Sequence, residues 1–206
     1  MTEIYFLRHG NSVANKRHQF AGVYDAGLTR LGRKQAKITA KALKNKHFDT
    51  IYASNIPRAI ATALYVAKLK KQPVYINPAF AEINFGILEG LDYVKYFKTH
   101  AKHAYIYYND YASISFEGGE SVKDSAKRFR KGIEEIAKKH EGQAVLIVTH
   151  SVALGNFISY LKAGFDEDKI NKTPLENCSI TKIEVQGDEI RLIYANDCSP
   201  VMAGNL

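Results

Sequence analysis

The chain has 206 residues, of which 46% are hydrophobic and 24% are charged, and its formal net charge at pH 7 is +8. This length suits one domain with a substantial core, and the composition excludes a disordered or fibrous protein. The sequence contains no apolar run long enough to span a bilayer and no basic-then-apolar leader at its start. We therefore expect a cytoplasmic protein without membrane contact.

The positive charge favours anionic partners, either phosphorylated metabolites or nucleic acid. The lysines are spread over predicted helix faces and form no dense basic tract, so we expect no nucleic-acid binding. The cysteines, Cys178 and Cys198, are too few for a disulfide framework. We expect them to be reduced thiols, with a bridge between them as the alternative. The oligomeric state is left open, with a homodimer as one option.

Predicted strands and helices alternate along the chain. The predicted strands are Glu3–Arg8, Asp49–Ala53, Pro73–Asn77, Ala144–Thr149, Ser179–Val185 and Glu189–Ala195, the last two as a hairpin around Gly187 and Asp188. The predicted helices run from Thr29, as the N-cap, to about Lys46, from Pro57 to about Lys70, from Ser121 to His140 and from Ser151 to Lys162. This order predicts one α/β domain over residues 1–206, a three-layer α/β/α sandwich with a mostly parallel central sheet.

Residues 91–118 interrupt the alternation. The interval is rich in tyrosine and phenylalanine and contains His100 and His103. We predict that it forms a small helical cap inserted into the domain. Its rings either face a substrate or form a small core over the sheet edge, and the sequence favours neither. The two histidines have a spacing that could hold a metal, but no third ligand accompanies them, so we predict no metal site.

Several polar groups follow the ends of predicted strands. Arg8-His9-Gly10 ends the first strand, His150 follows the strand at 144–149, and Arg58 stands early in the helix after the second strand. Glu82 lies in the loop after the third strand. If these strands are parallel, all of these groups meet at one edge of the sheet, where open α/β sheets bind ligands. The cations and the nearby helix N-termini then predict an anion site.

The same segments resemble the histidine phosphatase superfamily, which includes phosphoglycerate mutases and related phosphatases. The resemblance extends over nearly the whole chain. The matching motifs are Arg8-His9-Gly10, Asn15, Phe20-Ala21-Gly22 with Asp25, Leu28-Thr29-Arg30-Leu31-Gly32, the block from Ser54 to Ala63, the block from Glu82 to Gly90, and Val148-Thr149-His150. Several motifs in the correct order are far more specific than any one of them alone.

The resemblance implies a role for each matching residue. His9 is expected to be the nucleophile that becomes a phosphohistidine, and Glu82 the acid and base, with Glu89 as the alternative in the same block. Arg8, Arg58 and His150 are expected to bind the phosphoryl oxygens. The full set of expected substrate-binding residues is Arg8, Asn15, Ala21, Gly22, Arg58, Glu82 and Ser151, with no metal and no cofactor.

Phosphoryl transfer calls for these residue types on chemical grounds as well. A neutral imidazole can attack phosphorus near neutral pH without an activating base. Two neighbouring guanidinium groups are expected to lower the pKa of His9 by like-charge repulsion, which favours that neutral form. Guanidinium groups also match the equatorial phosphoryl oxygens and neutralise their charge. The sequence thus predicts metal-independent hydrolysis of a small phosphate monoester.

Two other functions compete with this prediction. A phosphoglycerate mutase would use the same residues, but such mutases resemble one another in a longer segment, rich in arginine pairs and prolines, between the acid and the second histidine. Here the interval from Glu82 to His150 holds only Arg128 and Arg130 and no proline. A silent module that binds a phosphorylated ligand would have lost a catalytic residue, and this chain has lost none. Hydrolysis is therefore preferred.

Overall fold

The predicted strands form a six-stranded sheet in a computed structural model that describes residues 1–203. They are β1 (Thr2–Arg8), β2 (Thr50–Ala53), β3 (Val74–Ile76), β4 (Ala144–Thr149), β5 (Ile180–Gln186) and β6 (Glu189–Asp197). Their order across the sheet is β3-β2-β4-β1-β5-β6. The first four strands in this order are parallel to one another, whereas β5 is antiparallel to both β1 and β6. The prediction of a mostly parallel sheet with a terminal hairpin is confirmed.

The helices within residues 1–203 are α1 (Val13–Lys16), α2 (Arg30–Ala42), α3 (Pro57–Lys70), α4 (Tyr93–Thr99), α5 (Ala101–Asn109), α6 (Val122–Lys139), α7 (Ser151–Lys162) and α8 (Ser199–Met202). α3 and α7 have the predicted bounds. α6 is one residue shorter at each end than predicted, because Ser121 and His140 are its caps. α2 ends at Ala42 rather than near Lys46. Residues 44–46 are exposed Lys, Asn and Lys, so they add no apolar side chain to the buried face of α2. The chain then turns back toward Phe48 in the core.

Alternation along the strands sends side chains to two separate core layers. In β1, Ile4 and Phe6 belong to one buried cluster, and Tyr5 and Leu7 belong to the other. The first cluster contains residues of α6 and α7, and the second contains residues of α2 and α3. Because successive side chains of a strand point to opposite faces, helices cover both faces of the sheet. The predicted three-layer sandwich is confirmed.

The interval 91–118 contains α4, α5 and a 3₁₀ turn at Tyr111–Ser113. Several of its side chains pack with Phe20, Phe85 and Tyr160 in a third cluster, which includes Tyr96, Phe97, Tyr107, Tyr111, Ile114 and Phe116. The interval is thus largely helical. The interpretation of the whole chain as one domain with a cap insertion stays a prediction.

The structure also bears on membrane spanning and on the state of the cysteines. Within residues 1–203, no helix is long and apolar enough to cross a membrane. Cys178, which is buried, and Cys198, which is partly exposed, are free thiols.

Candidate active site

The carboxyl ends of β1 and β4 bring the two predicted histidines together. These strands pair in parallel with Arg8 opposite Thr149, so His9 and His150 leave the sheet at the same level. The backbone N–H of His9 donates to the carbonyl of Thr149 at 3.0 Å. The two imidazole centroids are 5.1 Å apart, and both residues are buried. The convergence expected from parallel strands is present.

The hydrogen bonds of His9 define its tautomer. Nδ1 lies 2.8 Å from the carbonyl oxygen of Gly10, and a carbonyl can only accept, so the proton is on Nδ1. Nε2 is then unprotonated and accepts a hydrogen bond from Nε of Arg58 at 3.2 Å. Burial lowers the pKa of His9 well below its usual range, and repulsion from Arg58 and Arg8 adds to this effect. The like-charge repulsion expected from the sequence is present, but burial is the larger cause.

Gly10 is required for close packing at the end of β1. A Cβ on this residue would overlap the carbonyl oxygen of Gly32 in α2. The N–H of Gly10 donates to Oγ1 of Thr62 at 3.1 Å, which ties the loop to α3. The turn behind His9 is thereby held between two helices.

Arg58 is fixed in orientation by the loop at 21–25. It is the second residue of α3 and is 1% exposed. Its guanidinium donates from Nη1 to the Tyr24 carbonyl at 3.0 Å and the Asp25 carboxylate at 3.1 Å, and from Nη2 to the carbonyls of Ala21 at 2.6 Å and Gly22 at 3.0 Å. With both terminal nitrogens held in this way, Nε is the donor that faces His9.

Glu89 holds that loop in place. Its carboxylate accepts N–H groups of four residues: Gly22 at 3.0 and 3.1 Å, Val23 at 3.1 Å, Tyr24 at 2.9 Å and Phe85 at 2.9 Å. The loop in turn supplies the carbonyls that bind Arg58. Glu89 is therefore occupied with backbone donors, which argues against the alternative that it is the acid.

Glu82 lies in a different environment, at the N-terminus of α7. It is 6% exposed and lines the cavity that contains His9. Oε1 accepts the N–H groups of Ala153 at 2.6 Å and Ile83 at 3.0 Å, whereas Oε2 accepts only that of Val152 at 3.0 Å among the described residues. The preference for Glu82 over Glu89 as the acid thus has a geometric basis.

His150 is fully buried beside His9 and contacts β2 through Ser54. Nε2 of His150 lies 2.6 Å from Oγ of Ser54, which also accepts the N–H of Ile56 at 3.1 Å. Nδ1 is buried and has no hydrogen-bond partner among residues 1–203. Burial lowers the pKa of His150 well below its usual range, and the cations Arg58 and Arg8 contribute. The ring is therefore neutral near pH 7, and its Nδ1 is left without a partner among the described residues.

Most of the predicted residues surround one cavity of about 280 Å³, namely Arg8, His9, Asn15, Ala21, Arg58, Glu82 and Ser151. Gly22 and His150 are not in its lining. The N–H of Gly22 donates to the carboxylate of Glu89, so it is not free to bind a ligand. His150 is fully buried, with its ring centroid 5.1 Å from that of His9.

Arg8 supplies the second cation at this end of the cavity. Its Nη1 donates to the carbonyl of Leu175, and its Nε is buried without a partner among residues 1–203. Burial lowers the pKa of Arg8, and the carboxylates of Glu82 and Glu176 oppose that change. A buried guanidinium in a cavity wall that keeps an unpaired N–H is suited to hold an anion.

Asn15 and Ser151 have structural contacts besides their place in the cavity wall. Oδ1 of Asn15 accepts the N–H of Ser12 at 3.0 Å and Nδ2 of Asn177 at 3.2 Å, so the group left for a ligand is its amide NH₂. Oγ of Ser151 lies 3.2 Å from both the carbonyl oxygen and the N–H nitrogen of Leu175. Asn15 therefore closes the turn before α1 as well as facing the cavity.

The cap forms the other end of the cavity. Its lining there includes Tyr93, Phe97, Tyr107, Tyr111 and Phe116, together with Asn156 and residues 172–174. Several of the rings thus line the cavity and also belong to the third core cluster. That they contact a substrate stays a prediction. His100 and His103 stack on Tyr96 instead. Within residues 1–203, no group of His, Cys, Asp and Glu could hold a metal ion.

Sequence reasoning missed several supporting residues. Asn177 donates to the carbonyl of His9 at 3.0 Å, and Lys172 and Asn156 line the cavity. No motif marks these positions, since they follow from how α7 and the loop after it return to the sheet. Ser54 and Thr62 do lie within a matching motif block, and their contacts with His150 and Gly10 explain their place there.

Comparison with known proteins agrees with the motifs. The model of the histidine phosphatase superfamily (branch 1) matches residues 4–198. The chain is 28% identical to phosphoserine phosphatase 1 of Hydrogenobacter thermophilus, over 90% of this chain and 88% of that protein. It is 26% identical to a probable phosphoglycerate mutase of Photorhabdus laumondii, over 90% of this chain and 86% of that protein. The solved structure of Bacillus stearothermophilus YhfR has a TM-score of 0.89 at 28% identity, covering 98% of this chain and 100% of that one. The chain belongs to the histidine phosphatase superfamily, branch 1.

Proposed function

We propose that this protein hydrolyses phosphate monoesters through a phosphohistidine at His9, without a metal ion or another cofactor. The observation that carries the proposal is the state of the His9 ring. Nε2 is unprotonated and lies in a cavity that Arg8 and Arg58 make positive. A neutral imidazole among fixed cations is what attack on a phosphoryl group requires.

In the first step, Nε2 of His9 attacks phosphorus and the bond from phosphorus to the ester oxygen breaks. The guanidinium groups of Arg8 and Arg58 stabilise the phosphoryl oxygens. Once the phosphoryl group is on His9, His150, whose ring centroid is 5.1 Å from that of His9, is expected to bind one of its oxygens. Glu82 enters this step protonated and gives its proton to the departing alkoxide. Oε2 is the oxygen with room for that proton, since it accepts one N–H bond against two at Oε1.

In the second step, water attacks the phosphohistidine. Glu82, now a carboxylate, takes a proton from that water as the bond from Nε2 to phosphorus breaks. Inorganic phosphate leaves, and His9 and Glu82 return to their starting states. General acid–base help of this kind contributes roughly 10²–10⁴-fold to the rate.

Hydrolysis is preferred over mutase activity because of the positions of the two arginines between Glu82 and His150. Arg128 donates to Glu120 and to the carbonyls of Ala79 and Ala81, and Arg130 pairs with Glu134. Neither lines the cavity. The cavity therefore lacks the arginine pair that the mutase alternative would require. Release of phosphate to water rather than its transfer to a second hydroxyl separates the two activities.

The partner is expected to be a small phosphorylated molecule, since the cavity holds about 280 Å³. We further propose a cytoplasmic location, which the free thiols of Cys178 and Cys198 support.

The deciding experiment measures phosphate release from a panel of monoesters in excess chelator, for the wild type and His9→Ala. We expect chelator-resistant turnover by the wild type and its loss in His9→Ala. His47→Ala is the matched control, because the His47 side chain is 77% exposed. Turnover that needs a metal, or that survives in His9→Ala, would refute the mechanism.

A second experiment tests the role of Glu82. Glu82→Gln removes the transferable proton, so esters with poor leaving groups are expected to slow far more than aryl phosphates, whose departing oxygen needs little protonation. Rates for phenyl phosphate and an alkyl phosphate give the comparison. Equal losses for both would exclude Glu82 as the acid.

A further inference from the structure

Among the described residues, Ser54 is the one whose side chain forms a hydrogen bond with the ring of His150. Its Oγ lies 2.6 Å from Nε2 of His150, and both residues are fully buried. Ser54 follows β2 directly, and its N–H donates to the carbonyl of Val148 in β4 at 2.9 Å. The contact between the two side chains is therefore held by the parallel pairing of β2 with β4.

The direction of this hydrogen bond follows from the other contact of the Ser54 hydroxyl. Oγ accepts the N–H of Ile56 at 3.1 Å, and within residues 1–203 no acceptor except Nε2 of His150 lies against it. A hydroxyl has one hydrogen to donate, and a buried donor that stays unpaired costs free energy. The hydroxyl of Ser54 therefore donates to Nε2, and this nitrogen must be unprotonated.

The neutral ring of His150 then carries its hydrogen on Nδ1. Burial and the neighbouring cations hold the pKa of this ring well below its usual range, so the ring has a single N–H near pH 7. In the opposite tautomer, both Nδ1 and the hydroxyl of Ser54 would lack a partner among the described residues. With the hydrogen on Nδ1, only that N–H is unpaired. Because buried polar groups are nearly always paired, the tautomer with fewer unpaired groups is preferred.

We infer that Ser54 is a positioning residue, which fixes His150 as an Nδ1–H donor for the phosphoryl group carried by His9. This inference rests on the proposed function, since the anion on His9 is what needs a donor. The two imidazole centroids are 5.1 Å apart, a separation that a phosphoryl group on the His9 ring can bridge. An unprotonated Nδ1 would present a lone pair to negative oxygens and repel them.

The first test determines the tautomer by NMR, in protein isotope-labelled at the histidine nitrogens. Protonated and unprotonated ring nitrogens give separate signals, and those of His150 are identified by their loss in His150→Gln. We expect the wild type to carry the hydrogen on Nδ1, and Ser54→Ala to populate the Nε2–H form. Ser54→Thr keeps a hydroxyl and is expected to restore the wild-type pattern. A wild type with its hydrogen on Nε2 would overturn the inference, whether or not the variants fold.

The second test measures kcat/KM for phenyl phosphate and for an alkyl phosphate. Ser54→Ala is expected to lower both values by about tenfold, the scale of one hydrogen bond to a charged group, because both esters share the phosphoryl group. Ser54→Thr is expected to keep most of the activity. The control is Ser125→Ala, which removes another fully buried hydroxyl, one that has no hydrogen-bond partner in the described part of the chain.

The two tests separate this inference from the proposed function. An activity or a tautomer that Ser54→Ala leaves unchanged would overturn the role of Ser54, as would a loss that Ser54→Thr does not reverse although the tautomer returns. The NMR spectrum does not depend on turnover. A wild type with the other tautomer that still hydrolyses phenyl phosphate therefore refutes this inference alone, whereas a wild type that hydrolyses no ester defeats the proposed function.

Discussion

The contact network of Glu89 predicts that Glu89→Gln impairs catalysis from a position outside the cavity. Glu89 binds the N–H groups of the loop at 22–24, and that loop binds both terminal nitrogens of Arg58. The glutamine keeps the size of the side chain and removes one acceptor. The loop is expected to shift, and Arg58 with it, away from its contact with His9.

The magnitude follows from the bonds affected. With its amide oxygen at the site of Oε1, glutamine retains the bonds to Gly22, Val23 and Phe85, but its NH₂ faces the N–H of Tyr24, which now lies 2.9 Å from Oε2. Bonds to charged groups contribute about 1.5–3 kcal/mol and neutral ones about 0.5–1.5 kcal/mol. For a half-buried site we expect a cost of about 2–4 kcal/mol. If this whole free energy is lost from the positioning of Arg58 in the transition state, kcat/KM drops about 30- to 900-fold.

The assay is kcat/KM for phenyl phosphate as a function of pH, with a thermal unfolding curve for each protein. Arg58 helps to lower the pKa of His9, so its displacement is expected to move the acid limb of the profile to higher pH. A residue that served only stability would change the melting temperature without moving that limb. Glu141→Gln, at an exposed turn position before β4, is the control.

A kcat/KM for Glu89→Gln within twofold of the wild type would refute this reasoning. So would a large loss of activity with an unmoved acid limb, because Arg58 would then have kept its place beside His9.

Three other expected outcomes use buried groups. Below about pH 6.5 the unfolded chain takes up protons at His9 and His150, whereas the folded chain does not, so the free energy of unfolding falls as the pH drops. Urea unfolding at pH 7.5 and 5.5 measures this pH dependence. The variant His150→Gln is expected to reduce it. Burial raises the pKa of Cys178 to about 12, so a thiol reagent at pH 8 is expected to label Cys198 first, and equal rates would contradict the burial of Cys178. A Cβ at Gly22 would overlap the Ile83 carbonyl, so Gly22→Ala is expected to lower the unfolding free energy by about 1–3 kcal/mol, and a stability unchanged in urea would show that the loop yields.

The residues at the strand ends were predictable because local pattern and position coincide there. The apolar run at 144–149 predicts a buried strand, and a parallel neighbour places His150 beside His9 without any knowledge of the loops. The same logic predicts Arg58, because Pro57 marks the start of α3.

The remainder of the site depends on contacts between distant segments. Motif position favours Glu82 over Glu89 as the acid, but the physical difference between the two carboxylates lies in the donors that meet them. Those donors belong to α7 in one case and to the loop at 22–24 in the other. Lys172 likewise reaches the cavity because the chain after α7 folds back over the cap. Interactions of this range leave no periodic signal in a single sequence.

Different parts of the chain build the two ends of the cavity, the end with His9 and the end at the cap. The separation of the two imidazoles is set by backbone ladders between Glu3–Arg8 and Ala144–Thr149, whereas the opposite wall comes from residues 91–118 and 172–174. Those wall segments contribute nothing to the ladders. Replacing residues 91–118 by a foreign segment would therefore change which alcohols are accepted, while His9, Arg58, Glu82 and Glu89 kept their places. One end of the cavity can therefore be exchanged without altering the strand pairing that holds the other end.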